Sequence, residues 1–211
     1  QRTARFPWFP SGNCGGGAAV TRDGFNQMGP MITLGGLTIP NAETYERLYP
    51  VTIRRHEFTC DGGGAGKYRG GTGVDYEVDV ETPSEFSFRA EGVTRPTGLG
   101  VVGGLDGGVG RARIGGIGDE MHDAPQYGLV GVGPARLEVR SPGGGGAGDP
   151  FERDVERVVR DVRDGLVSVA AARSQYGVVI APCGRRADMD QTSLLRSRPR
   201  TMTVAAQGGR P

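Results

Sequence analysis

Residues 140–150 read Arg140-Ser141-Pro142-Gly143-Gly144-Gly145-Gly146-Ala147-Gly148-Asp149-Pro150 and lead directly into a charged segment with helical spacing. Four successive glycines let other backbone approach closely, and Asp-Pro presets the first turn of a following helix. Glycine amides before a helix can bind phosphate, but a P-loop ends in Lys and Ser or Thr, whereas this run ends in the acidic Asp149. The run therefore predicts a structured backbone turn that closes on a partner or a substrate channel, and it argues against direct nucleotide binding.

Glycine clusters recur along the chain, which has 39 glycines among 211 residues. Short segments rich in Val, Ile, Tyr and Phe separate them, as is typical of strands joined by tight turns. The predicted strands are residues 51–58, 73–80, 85–91, 112–114 and 135–139. Within 74–80 apolar residues alternate with acids, which predicts one dry face and one solvated face.

Beyond the glycine run the apolar spacing changes to three and four residues. Residues 151–166 predict an amphipathic helix packed on the sheet, closed by Gly165. A second short helix is predicted between the cap Ser168 and the stop Gly177. We therefore expect an α+β domain over residues 1–181, a β-rich, glycine-turn sheet or sandwich with two C-terminal helices. The basic residues 182–211 lack apolar periodicity and predict an extended or partner-bound tail.

Composition excludes several classes of protein. A formal charge of +1 with 36% hydrophobic residues implies neither nucleic acid nor an anionic membrane as partner, and no apolar stretch approaches the length of a membrane span. Cys14, Cys60 and Cys183 are widely spaced without a CxxC, so reduced thiols and a cytoplasmic location are expected. With only two histidines, no metal site is expected in this chain alone.

Four residues are candidates for catalysis. Glu43 and Glu46 share a helix face and could orient a substrate or a metal-bound water, although acids in a first helical turn are also favoured by the dipole. His56 is a candidate general base, or one charge among others on a sheet surface. Cys14 precedes Gly15, Gly16 and Gly17, whose amides could bind an oxyanion beside a thiol nucleophile; a small residue before a tight turn is the alternative.

Two further sets of residues complete the candidates. The predicted chamber or interface loops comprise Gly15, Gly16, Gly17, Gly143, Gly144, Gly145, Gly146 and Asp149. His122, in Asp119-Glu120-Met121-His122-Asp123, could join a weak metal site, but an exposed acidic loop explains it more simply.

Several motifs occur in an order that resembles one enzyme family. They are Pro40-Asn41-Ala42-Glu43-Thr44-Tyr45-Glu46, the glycine-rich residues 63–73, the run 143–150 with Glu152-Arg153-Asp154, and Asp164-Gly165-Leu166-Val167-Ser168 with Tyr176-Gly177-Val178-Val179. Together they resemble the carboxy-terminal part of the hydantoinase B/5-oxoprolinase family. The Pro-Asn-Ala-Glu form and Gly71-Thr72-Gly73-Val74 look closer to the branch of ketone carboxylases, which act on acetone or acetophenone.

The resemblance implies a role in a cytoplasmic multi-subunit enzyme. A hydantoinase A-type partner would bind ATP and Mg²⁺ and phosphorylate a carbonyl or amide oxygen, and another chain would supply the upstream half of the B-type component. A divalent metal, Zn or Mn, would lie on that upstream chain. The implied reaction is carboxylation of a ketone through a phosphorylated enol, or alternatively hydrolysis of a cyclic amide such as a hydantoin, 5-oxoproline or a lactam. A purely structural role without catalytic residues is the third hypothesis.

Overall fold

The computed structural model describes residues 14–28 and 41–198. Residues 1–13, 29–40 and 199–211 lie outside them, as do the parts of the predicted domain and tail that fall there. Of the motif Pro-Asn-Ala-Glu, Pro40 lies outside and Asn41, Ala42 and Glu43 are described.

Two antiparallel sheets contain the strands of the described ranges. The strands are β1 Val51–Phe58, β2 Val74–Val80, β3 Ser84–Arg89, β4 Arg111–Gly116, β5 His122–Asp123, β6 Tyr127–Val132 and β7 Ala135–Arg140. The larger sheet has the order β1-β2-β7-β4-β5, and β3 pairs with β6. All five predicted strands are present with bounds shifted by at most two residues. β5 and β6 were not predicted; β6 contains Gly128 and Gly131, which lower its strand propensity.

An apolar core joins the two sheets. Tyr76, Val78 and Leu137 of the larger sheet are at most 2% exposed, and Phe86 and Phe88 of β3 belong to the same cluster. Alternate residues of β2 enter this core, as the predicted alternation requires. Burying a side chain of this size stabilises the fold by about 1.5–3 kcal/mol. The α+β, sandwich-like class is thereby confirmed.

The acids of β2 are paired with arginines rather than simply solvated. Asp79 is buried and accepts hydrogen bonds from Arg136 at 2.7 and 3.0 Å and from Arg54 at 2.9 Å. The hydrogen bond from Arg136, aided by Arg54, holds the pKa of Asp79 below its ordinary value although burial opposes this. The charged face of this sheet therefore contributes to stability through a hydrogen-bonded ladder.

The four-glycine run is the central segment of a bundle of extended backbones inside the domain. This glycine bundle consists of residues 14–18, 62–66, 70–73, 98–108 and 141–148. The amide of Gly143 donates to Gly108, that of Gly144 to Gly71 and that of Gly146 to Leu105, each at 2.9 Å. Gly143 and Gly146, three residues apart, both donate to the segment 98–108. A repeat of three residues is the period of a polyproline II chain.

Glycine is required at the centre of the bundle because the neighbours are backbone atoms. A Cβ would lie 1.7 Å from the carbonyl oxygen of Gly62 if added at Gly143, and 2.0 Å from that of Gly16 if added at Gly144. At Gly145 and Gly146 the corresponding distances to carbonyl oxygens are 2.1 and 2.3 Å. Such distances leave no room for a side chain.

Helices follow the glycine bundle. A 3-10 turn Pro150–Glu152 precedes α2 Val155–Arg163 and α3 Val169–Tyr176, after the earlier α1 Ala42–Leu48. Ser168 caps α3, and Gly177 ends it with φ +63°, as predicted. The prediction that the first of these helices packs on the sheet is wrong. Val158 and Val167 instead form a second core with Ala171, Ala172, Tyr176, Val178 and Ala65, which includes no strand residue.

A further helix, α4 Met189–Arg196, lies within the predicted tail. The extended conformation predicted there is therefore wrong for these residues. The Asp188 carboxylate caps this helix, since it accepts hydrogen bonds from the Gln191 backbone amide at 3.0 Å and from the Gln191 side-chain nitrogen at 2.9 Å. Arg196 donates to the carbonyl oxygens of Arg153 and Tyr176, so α4 is attached to the second core.

A buried ionic cluster fastens the segment 14–28 to the helices. Arg153 is 1% exposed and donates to Asp23 at 2.7 and 2.8 Å and to Asp161 at 2.8 and 3.1 Å. Burial alone would lower the pKa of Arg153, but the hydrogen bonds to Asp23 and the charge of Asp161 raise it. Arg153 therefore links Asp23 of the segment 14–28 to Asp161 of α2 inside the protein.

Candidate functional site

A β-bulge in β1 turns His56 toward the apolar side of the sheet. The register with β2 shifts between Ile53 and Arg55, so His56 pairs with the buried Tyr76 rather than with an acid. The two rings meet edge to face, with centroids 5.3 Å apart. The sequence pattern places His56 among surface charges because it carries no sign of the bulge.

Glu46 bonds to the backbone at this bulge. Helix α1, capped by Asn41, brings the Glu46 carboxylate to the Ile53 amide, which donates to it at 2.8 Å. Glu43 lies exposed in the first turn of the same helix, where the helix dipole favours an acid. Glu46 therefore acts on the backbone of β1 at the residue where the register shifts, which is the bulge that sets the orientation of His56.

Gln27 contacts His56 from the segment 14–28. Its side-chain nitrogen lies 2.9 Å from His56 Nε2, and its own backbone amide donates to the Thr72 carbonyl oxygen at 2.9 Å. Gln27 has φ +47°, a conformation that costs a non-glycine residue free energy and is enriched at functional sites. Asp61, with φ +58°, is a second such residue and follows Cys60. No feature of the sequence pointed to Gln27.

An open cavity of about 610 Å³ lies beside this histidine. We call it the His56 cavity; its lining residues are Gln27, His56, Glu57, Phe58, Cys60, Val74, Asp164 and Gly165. Three separate parts of the chain converge there: the segment 14–28, the adjacent strands β1 and β2, and the turn after α2. This convergence of distant segments beside a histidine makes the His56 cavity a candidate binding site.

Three titratable groups of this region, His56, Cys60 and Tyr76, are held in neutral forms. Partial burial lowers the pKa of His56, so the neutral imidazole predominates at neutral pH. Burial and the charge of Asp61 raise the pKa of Cys60, which keeps its thiol protonated. Burial, with Tyr45 and Glu46 nearby, raises the pKa of Tyr76 as well. The site therefore offers hydrogen-bonding groups without a fixed positive charge.

Cys14 lies next to this region in the fold. Its carbonyl oxygen accepts the amide of Met28, the residue after Gln27, at 2.8 Å, and its thiol is free and exposed, as are those of Cys60 and Cys183. However, the amides of Gly15 and Gly16 donate to the carbonyl oxygens of Pro142 and Phe25. These two amides are thus engaged within the chain and do not form the oxyanion site considered for Cys14.

The other predicted loop residues have defined places. Gly143, Gly144, Gly145 and Gly146 are buried in the glycine bundle, Gly16 is buried at its edge, and Gly17 is exposed. Asp149 caps the 3-10 turn by accepting the Phe151 amide at 2.9 Å. Any contact of this bundle with a partner or a substrate chamber would be made by the segments around it, and that role stays a prediction.

His122 lies exposed on β5, opposite Ile114. Across the described part of the chain, no three His, Cys, Asp or Glu side chains are grouped so as to hold a metal ion. Within residues 14–28 and 41–198, none of the helices combines the length and apolar character needed to cross a bilayer.

The fold is a β-rich domain with an open cavity beside His56, and comparison with known proteins assigns it to a family. The family model for hydantoinase B/oxoprolinase matches residues 1–150. The chain belongs to the hydantoinase B/oxoprolinase family.

Three curated relatives are similar over most of this chain. It is 37% identical over 172 residues to the beta subunit of caprolactamase from Pseudomonas jessenii, covering 79% of this chain and 29% of the relative. It is 32% identical to a protein of Pseudomonas sp. strain NS671 named for the B component of a D-/L-hydantoinase, covering 73% and 26%. It is 27% identical to the delta subunit of acetophenone carboxylase from Aromatoleum aromaticum, covering 87% and 31%. The chain thus spans less than a third of the length of each.

Two solved structures have the same fold. The ATP-dependent caprolactamase from Pseudomonas jessenii superposes with a TM-score of 0.69 at 33% identity, covering 88% of this chain and 33% of that chain. Nucleotide-free acetone carboxylase superposes with a TM-score of 0.60 at 19% identity, covering 88% and 29%, which shows a common fold alone.

Proposed function

We propose that this chain is part of the B-type component of an ATP-dependent multi-subunit enzyme that opens a cyclic amide. The observation behind this proposal is the order of similarity. The relatives named for caprolactam and hydantoins are 37% and 32% identical, whereas the relative named for acetophenone carboxylase is 27% identical. The superposition on an ATP-dependent caprolactamase supports the dependence on ATP.

The chemistry requires a sheltered chamber shared between chains. A hydantoinase A-type partner would bind ATP and Mg²⁺ and transfer the γ-phosphoryl group to the amide oxygen. Phosphorylation makes the ring carbon more electrophilic, so that water adds to it and the C–N bond breaks, with the proton going to the leaving nitrogen. A second water then hydrolyses the resulting acyl phosphate to the carboxylate and phosphate. The divalent metal, Zn or Mn, would belong to the upstream half of the B-type component. Exclusion of bulk water keeps the activated species from side reactions.

Carboxylation of a ketone through a phosphorylated enol is the second candidate function. Asn41, Ala42 and Glu43, with Pro40 before them, form the motif that looks closer to the carboxylase branch. The 87% coverage of this chain by the acetophenone carboxylase relative also favours this candidate. Both functions use the same activation by ATP and differ in whether bicarbonate or water completes the reaction.

The first experiment is to purify the complex from its source through this chain and to identify its partners. ATP hydrolysis is then measured with caprolactam, hydantoin, acetone and acetophenone, each with and without bicarbonate. Opening of a cyclic amide without bicarbonate is the expected result. Ketone turnover that requires bicarbonate would establish the second function, and a folded chain that purifies without a nucleotide-binding partner would contradict both.

A substitution separates a catalytic contribution from a purely structural role. The complex is assembled with His56→Gln and, as a matched control, with His122→Gln on exposed β5. A selective loss of turnover with His56→Gln, at unchanged assembly, is expected if the His56 cavity contacts substrate. Equal activity of both variants would support the purely structural role.

A further inference from the structure

The His56 cavity has the chemistry of a site for a neutral carbonyl compound. Phe58 and Val74 contribute apolar surface, Cys60 and Gln27 are uncharged, and Glu57 and Asp164 supply carboxylates. No Lys or Arg is among the lining residues of this described cavity; Arg163 pairs with Asp164 at 3.3 Å from outside the lining set. An anionic ligand would therefore meet the carboxylates of Glu57 and of Arg163-paired Asp164, and no cation in the lining.

The contact with Gln27 favours one tautomer of His56. The Gln27 side-chain nitrogen is a donor, so Nε2 of the histidine accepts and the proton of the neutral ring is on Nδ1. An Nε2 that accepts from Gln27 is not free to act as a general base. Among the described residues, Nδ1 has no hydrogen-bond partner, so its N–H is available to a ligand.

We propose that the His56 cavity binds the neutral cyclic amide before phosphorylation, with His56 Nδ1–H donating to the amide oxygen and Phe58 and Val74 packing on the ring methylenes. The ligand class rests on the proposed function. The cavity would thus receive the uncharged substrate and release it once the oxygen becomes a phosphate ester, because the added negative charge meets Glu57 and Asp164. Gln27 is a positioning residue in this arrangement.

Nuclear magnetic resonance on the ¹⁵N-histidine-labelled chain tests the proposal directly, since the chain has only His56 and His122. His122→Gln assigns the two signals. At neutral pH the long-range couplings should show His56 as the Nδ1–H tautomer. Titration with caprolactam should shift the His56 signals saturably and leave those of His122 in place. An Nε2–H tautomer, or His56 signals unmoved by every neutral carbonyl probe, would overturn the proposal.

Two further titrations separate this proposal from the proposed function. Inorganic phosphate should leave His56 unmoved; a saturable shift with phosphate but not with caprolactam would make the cavity an anion site and overturn the inference. A shift with acetone or acetophenone in place of caprolactam would retain a neutral carbonyl site and contradict the cyclic amide instead. Gln27→Ala should raise the apparent Kd of caprolactam about fivefold, as expected for one hydrogen bond of about 1 kcal/mol.

Discussion

Gly144 lies where the packing leaves no space for any side chain. Its amide donates to Gly71, its carbonyl oxygen accepts from Gly64, and a Cβ would lie 2.0 Å from the carbonyl oxygen of Gly16. The obstructing atoms are backbone, so they cannot move aside as the end of a flexible side chain would. Whether a side chain can be accommodated at Gly144 therefore depends on main-chain geometry rather than on the burial of apolar area.

We predict that Gly144→Ala destabilises the domain by about 3 kcal/mol or prevents folding, because separating the two backbones breaks their hydrogen bonds. Urea unfolding followed by circular dichroism measures the change. Gly17→Ala is the matched control, since a Cβ at Gly17 would meet nothing within 4 Å. Equal stability of the two variants would show that the bundle is looser than described.

The lowered pKa of His56 predicts a pH dependence of stability. Partial burial lowers the pKa of His56 in the folded chain below 6.5, so the unfolded chain takes up the proton first as the pH falls. The contribution of His56 to the free energy of unfolding should therefore be largest above pH 6.5, the ordinary value. It should decrease as the pH drops from there through the folded-state pKa. Glu57, Asp164, Cys60 and Tyr76 are the other titratable groups beside this ring.

Urea titrations of wild type and His56→Gln at about pH 7.5 and about pH 5.5 check this prediction, since these values bracket the ordinary histidine pKa. Relative to His56→Gln, wild type should have a lower free energy of unfolding at the lower pH than at the higher pH. A difference that is independent of pH would contradict the neutral state assigned to His56.

At the scale of the elements, buried Arg153 joins the segment 14–28 to helix α2, and buried Arg69 lies 3.5 Å from Asp161 in the same cluster. Arg153→Met should destabilise the domain by about 3–5 kcal/mol, because Asp23 and Asp161 lose their shared partner inside the protein. Arg160→Met on the exposed side of α2 is the control and should cost far less. Guanidinium unfolding of both variants provides the comparison, and similar midpoints would argue against the cluster as an anchor.

The elements also show how far sequence reasoning reaches. The alternation of β2 and the caps of α3 are local signals, and both were predicted. The helix α4 had its own local signal in Asp188 and Gln191, but the basic, aperiodic composition around it obscured that signal. The orientation of His56 depends on a bulge stabilised by Glu46, and its contact with Gln27 joins residues 29 positions apart, so neither follows from local pattern.

At the scale of the molecule, the segment 14–28 completes both the glycine bundle and the ionic cluster. A chain lacking residues 1–28 should therefore lose its cooperative unfolding transition, because Gly71 and Gly144 lose the backbone that packs against them and Arg153 loses one of its two carboxylate partners, Asp23. Scanning calorimetry measures this. Addition of a peptide of residues 14–28 should restore the transition, whereas the same peptide with Asp23→Lys should not. A sharp transition without residues 1–28 would contradict this prediction.

The glycine bundle brings together the early segment 14–18 and the late segment 141–148, which affects the order of folding. Asp23 and Arg153 are separated by 130 residues, and the central glycines can be enclosed only when both flanking segments are present. Contacts of such long sequence separation slow folding, because loop closure precedes the stabilising contacts. During synthesis the first segment emerges on the order of ten seconds before its partners. The nascent chain thus passes through an interval in which the glycine backbone that later becomes the centre of the bundle is exposed.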